Sequence, residues 1–147
     1  MKKIFKLSAL ILSIVSHVIV SDAQNIKNDS IAMNNSYEAA VRIYRQGFYL
    51  QALDSFKNAF ESGKKIFSED HKNLRSINNA LGIVYRNIGQ YDNATKHYLM
   101  AERSFQSGGD INEPALARLY SNMGNVYYNK FNYGTALEYY QRAADII

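Results

Sequence analysis

The chain has no cysteine and a single proline among its 147 residues. The first absence excludes disulfides and thiolate metal sites, so outside a reducing compartment stability must come from packing alone. With only eight glycines and 47% hydrophobic residues, the composition fits one modest, ordered domain rather than a disordered segment. Long β-branched runs separated by turn dipeptides are also missing, which removes support for a sandwich or barrel and leaves helix as the expected class.

Chemistry-bearing patterns are equally scarce. Past the N-terminal segment only His71 and His97 remain, and neither has a carboxylate or second histidine four residues on to complete a metal-binding helix face. His97 is expected at a solvated edge beside Lys96, and His71 near a helix start. Glu69 and Asp70 form the only adjacent carboxylate pair, but sequence neighbours on a helix point to different sides. No serine sits in a nucleophile elbow, and Gly108-Gly109 has neither a strand before it nor a lysine after it to make a phosphate loop. The expectation is therefore no catalytic residue, no metal and no cofactor.

What is present begins with Lys2, Lys3 and Lys6, followed by the uncharged run 7–20 and then Ser21-Asp22-Ala23. That is the order of a signal peptide over residues 1–23, with cleavage expected before Gln24 and a periplasmic or secreted product. The other reading is an uncleaved anchor, although the run is shorter than the roughly 20 apolar residues that span a bilayer. Removing three lysines and Asp22 from 17 basic and 13 acidic residues leaves 14 and 12, a net charge of about +2. No basic stripe with interleaved aromatics appears, so nucleic acid is not an expected partner. Residues 24–36 read as a polar, asparagine-rich leader with too little periodic apolar content to fix a helix.

From Tyr37 onward the sequence repeats itself. Ala52, Phe56 and Ala59 return as Ala94, Tyr98 and Ala101, and again as Ala136, Tyr140 and Ala143, at a constant offset of 42 residues. The preceding stretches align in the same register: Ala39-Ala40, Leu81-Gly82 and Met123-Gly124, then Ile43, Tyr85 and Tyr127, then Tyr49, Tyr91 and Tyr133. Small residues at 40, 82, 124 and at 52, 94, 136 suit close helix crossing. Tyr85, Tyr91, Tyr98, Tyr127, Tyr133 and Tyr140 are expected in the core, whereas Tyr37, Tyr44 and Tyr128 fall off it. Ser68 or Asp70 is expected to cap the helix beginning near His71, and Asp110 with Glu113 the one beginning before Pro114.

These landmarks of Leu-Gly, Tyr, Ala and Phe/Tyr resemble the tetratricopeptide repeat, and the 42-residue period resembles its longer form in kinesin light chains. The likeness covers residues 37–147, in units near 37–67, 70–107 and 112–147. It departs from the family at Ser36, Asn78 and Tyr120, where a tryptophan is usual, and at Phe131, which replaces the turn glycine. The resemblance implies an all-α, superhelical stack of about three helix-turn-helix hairpins that binds a protein or peptide on its concave face. On that face it places Tyr37, Tyr44 and Arg45, then Asn79, Arg86 and Asn87, then Arg118, Asn122, Asn125 and Asn129. Asparagine amides pair with both groups of an extended backbone, and arginine offers a fork to a carboxylate. Tyr37 and Val41 stand where some members carry the lysine and asparagine that clamp a C-terminal carboxylate.

The functional expectation is an exported scaffold for protein or peptide binding; the alternative is the extracytoplasmic sensory input of a larger signalling protein. Tyr139, Tyr140, Ile146 and Ile147 are expected to leave an apolar end. Further repeats, end-to-end association or a short solenoid that tolerates exposure would each account for it.

Overall fold

Six helices make up the computed structural model, which describes residues 2–107 and 113–146. They are α1 (Lys2–Arg45), α2 (Tyr49–Lys64), α3 (Arg75–Asn87), α4 (Tyr91–Ser107), α5 (Glu113–Asn129) and α6 (Tyr133–Ala144), with a single 3₁₀ turn at Lys72–Leu74. No strand occurs among the described residues. The helices pair as α1 with α2, α3 with α4 and α5 with α6, and the pairs stack in chain order. This is the all-α helical-repeat stack that the 42-residue offset implies.

Each hairpin turns by the same device. The helix ends in a residue with left-handed backbone, Gly47 at φ 84°, Gly89 at φ 77° and Phe131 at φ 60°. In the middle turn the N–H of Gly89 donates to the Arg86 carbonyl at 3.0 Å and that of Gln90 to the Tyr85 carbonyl at 2.8 Å. The other two turns repeat the pattern at 42-residue steps, which satisfies the last carbonyls of each first helix.

Small residues then let the paired helices close. Ala52, Ala59, Ala94, Ala101, Ala136 and Ala143 are all buried. Gly82 lies against the ring of Tyr98 and Gly124 against that of Tyr140, so close that a Cβ at either glycine would overlap the ring. Leu74, Leu81, Val84, Leu119, Met123 and Val126 are buried in the one continuous hydrophobic core. The 3₁₀ turn that leads into α3 is capped differently from expectation: the N–H of Asn73 donates to His71 Nδ1 at 3.2 Å, so neither Ser68 nor Asp70 is the cap. Asp110 and Gly108-Gly109 lie outside the described residues.

Three further expectations change. The leader 24–36 is helical, continuous with α1. Its polar sequence hides a contact that local periodicity could not show: Met33 is buried near Gly63 and Leu74, and Lys65 Nζ pairs with Asp29 at 2.9 Å. Tyr133, expected in the core, is 56% exposed, because it opens α6 on the side that no described helix covers. At the apolar end, Tyr139 is instead packed on Tyr120 and Tyr127, and Ile146 packs against the core; the exposed apolar groups there are Tyr133 and Leu137. Ile147 lies outside the described residues. Along the N-terminal run, positions 11–28 are all exposed, and no described helix is long and apolar enough to cross a membrane.

Candidate functional site

The first helices of the three hairpins, α1, α3 and α5, line one side of the stack, and the gap between α1 and α3 forms a cleft of about 340 Å³. Its walls are Tyr37, Val41 and Tyr44 from α1, Ser76, Asn79, Ala80 and Ile83 from α3, with Phe56 and Arg118. Helical spacing explains the convergence. Tyr37, Val41 and Tyr44 recur every three to four residues, as do Ser76, Asn79 and Ile83, so each set occupies one stripe of its helix. A smaller hollow of about 100 Å³ continues from it towards Phe105 and Ala115, sharing Ser76, Asn79 and Arg118.

Four of the ten residues expected on this face, Tyr37, Tyr44, Asn79 and Arg118, line the cleft directly. Three more join it through hydrogen bonds. Asn87 Nδ2 donates to Tyr44 Oη at 3.1 Å, tying α3 to α1, and Arg86 donates to Asn87 Oδ1 at 3.4 Å. Asn122 Nδ2 donates to Asn79 Oδ1 at 3.4 Å, tying α5 to α3. Asn125 is instead engaged inside its own hairpin, accepting from Tyr140 Oη at 2.8 Å. Arg45 and Asn129 are exposed and outside the cleft. Ser76, Phe56 and Ala80 line the cleft without having been expected on this face, Phe56 having been placed among the core landmarks; Ser76 was discoverable, since it stands 42 residues before Arg118.

Electrostatics favour an acceptor-rich ligand. α3 contains no aspartate or glutamate, and the cations beside the cleft are Arg86 and Arg118. Burial pushes the Tyr37 phenol above its ordinary value, with Glu38 adding to the rise, so it stays a neutral donor.

His97 is not at a solvated edge. Its ring stacks on Tyr85 at 5.5 Å and meets Phe60 edge-on at 5.4 Å. Asn78, fully buried, donates from Nδ2 to the Glu69 carbonyl at 2.8 Å, which leaves its Oδ1 to accept from His97 Nδ1 at 2.9 Å. Burial, reinforced by Lys96 and Lys57, lowers the imidazole pKa to about 4. This cluster holds the first and middle hairpins together and lies apart from the cleft. No group of three or more His, Cys, Asp or Glu gathers among the described residues.

Among curated proteins none matches the sequence. Solved structures do. BtubC (BKLC) from P. vanneervenii superposes with a TM-score of 0.71 at 21% identity, covering 78% of this chain and 46% of that one. The TPR domain of Arabidopsis FLU gives 0.72 at 14% identity, covering 80% of this chain and 95% of that domain. The N-terminal domain of stress-induced protein-1 from C. elegans gives 0.65 at 13%, covering 81% and 87%. This chain thus spans about half the length of BtubC, and at such identities the likeness establishes fold. A tetratricopeptide repeat model matches residues 30–107, more than half of the chain, and a second such model matches 117–147. With the repeated turns, the glycine–tyrosine crossings and these matches agreeing, the chain belongs to the tetratricopeptide repeat family.

Proposed function

We propose that the face formed by α1, α3 and α5 binds an extended segment of a partner protein, with the cleft between α1 and α3 as its principal subsite. The tetratricopeptide fold is a protein–protein interaction scaffold, and the observation that carries the specific reading is the cleft itself. It combines apolar walls from Val41, Phe56, Ala80 and Ile83 with polar groups from Asn79, Ser76 and Arg118. Such a lining accepts an apolar side chain and offers hydrogen bonds to the backbone that carries it. Random peptides displayed against the full chain should yield binders whose affinity falls roughly tenfold or more in Asn79→Ala and Arg118→Ala, each tenfold being about 1.4 kcal/mol. Undiminished binding by both variants would overturn the assignment.

Export is part of the same proposal. The basic start, apolar run and Ser21-Asp22-Ala23 remain its motive, and the position of the core supports it. Among the residues whose burial is described, positions 11–28 are exposed and Met33 is the first buried one, so cleavage before Gln24 removes no described core residue. Sequencing the N-terminus of the mature protein should read Gln24 first; Met1 or Lys2 at that end would refute cleavage.

A further inference from the structure

The three hairpins differ at one pair of facing positions. The last has Asn125 opposite Tyr140, the middle has Ile83 opposite Tyr98, and the first has Val41 opposite Phe56. Tyr140 Oη donates to Asn125 Oδ1 at 2.8 Å, and Phe56 carries no hydroxyl. In the middle hairpin a hydroxyl faces an aliphatic side chain. Tyr98 is fully buried, and its Oη is the one buried side-chain polar atom without a hydrogen-bond partner among the described residues. Buried donors are almost always paired, so such an atom asks for an explanation.

Its location supplies one. The Tyr98 ring crosses Gly82, and the groups whose charges act on its hydroxyl are Arg86 and Tyr44, both at the concave face. Ile83, its counterpart of Asn125, lines the cleft together with Tyr44. The repeat register and these neighbours put the hydroxyl behind Ile83 and towards Tyr44, two residues that line the cleft. Burial also keeps this phenol well above its ordinary pKa, so it remains a neutral O–H.

We propose that Tyr98 Oη is a specificity-determining donor of the groove, hydrogen-bonding a main-chain carbonyl oxygen of a peptide lodged between α1 and α3, in the place that Asn125 Oδ1 fills in the last hairpin. The inference rests on the groove reading above. A carbonyl entering between Val41, Phe56, Ala80 and Ile83 leaves water behind and needs a donor inside, and Tyr98 is the donor without an internal acceptor. By the 42-residue register the half-buried Ile83, which lines the cleft, takes the place of Asn125 beside the hydroxyl, and the proposal requires its side chain to change rotamer to admit the carbonyl.

The test uses a peptide selected from a displayed random library on the full chain, measured by calorimetry. Tyr98→Phe should weaken its binding about tenfold, the loss of one buried hydrogen bond, while the melting temperature rises because the unpaired group is gone. Ile83→Asn should also raise the melting temperature, by rebuilding the Asn125–Tyr140 pair, and should weaken binding by occupying the hydroxyl internally. Binding by Tyr98→Phe within twofold of the parent overturns the inference. Arg118→Ala separates the two levels: if it loses the peptide while Tyr98→Phe keeps it, the groove stands and the donor role falls. If Arg118→Ala, Asn79→Ala and Tyr98→Phe all keep it, or no peptide is selected, both fall.

Discussion

The junction between the first and middle hairpins and that between the middle and last are built on the same positions with different chemistry. At the first junction Asn78, Tyr85 and His97 meet; at the second their 42-residue counterparts Tyr120, Tyr127 and Tyr139 do. His97 stacks on Tyr85 at 5.5 Å and 13°, and Tyr139 stacks on Tyr127 at 5.4 Å and 9°. One stack is thus completed by a polar chain from Glu69 through Asn78, the other by a third ring. The neighbouring contacts diverge further. Phe60 touches His97 at the first junction, while at the second its counterpart Glu102 receives Arg142 at 2.8 Å, whose guanidinium also covers Tyr120 at 4.0 Å. The repeat fixes where side chains meet; the residues then decide whether the contact responds to pH, salt or neither.

The largest expected effect breaks that comparison with acid. Folding holds His97 neutral, with a pKa of about 4 against an ordinary 6.5. The unfolded chain then binds more protons between those values, so stability is full above about pH 6.5 and falls as pH drops towards 4. A shift of that size is worth roughly 3 kcal/mol at the acid end. His97→Tyr, which copies Tyr139, should remove this component. Chemical denaturation of parent and variant at several pH values measures it, and parallel pH profiles would show that His97 does not titrate as described.

Next come the crossings inside the hairpins. Gly82→Ala places a methyl against the buried Tyr98 ring; overpacking costs about 1–3 kcal/mol and the helix regains up to about 1, for a net loss of roughly 1–2. Ala40 holds the same position opposite Phe56 in the first hairpin, so Ala40→Gly should cost mainly the helix term of about 1 kcal/mol and gain no space. A comparable contrast separates the tyrosines. Tyr98→Phe should stabilise by about 1 kcal/mol, since it deletes an unpaired buried hydroxyl, whereas Tyr140→Phe should destabilise by about 1 by leaving Asn125 without its donor. Equal and same-signed changes in thermal unfolding would refute the pairing argument.

How much of this was legible in the sequence depends on range. The 42-residue offset revealed the hairpins, their turns and the small residues at Gly82 and Ala94, because those are properties of one unit repeated. Contacts between units were harder. Met33 belongs to a stretch with little periodicity, and only its partner 30 residues away, Gly63, makes it a core residue. His97 looks exposed beside Lys96 until Asn78 and Phe60 are brought to it from other helices. The cleft was partly visible for the same reason: Tyr37, Tyr44, Asn79 and Arg118 could be placed on one face, but that Asn125 turns inward follows from Tyr140, which no face-by-face reading of α5 includes.

The smallest expected effect concerns the turns. Gly47 and Gly89 take the left-handed conformation without a side chain, but Phe131 does so with one, and it is 78% exposed. A side chain in that conformation costs about 1–2 kcal/mol, and exposure returns little burial to offset it. Its contact with Tyr133, edge-to-face at 6.4 Å, is worth about 0.5–1 kcal/mol. Glycine at this site also enlarges the freedom of the unfolded chain, which takes back a further part of the gain. Phe131→Gly should therefore stabilise by about 0.5 kcal/mol and make the third turn equivalent to the other two. A measured loss on thermal unfolding would mean that the Phe131 ring contributes more to the last hairpin than its exposure implies.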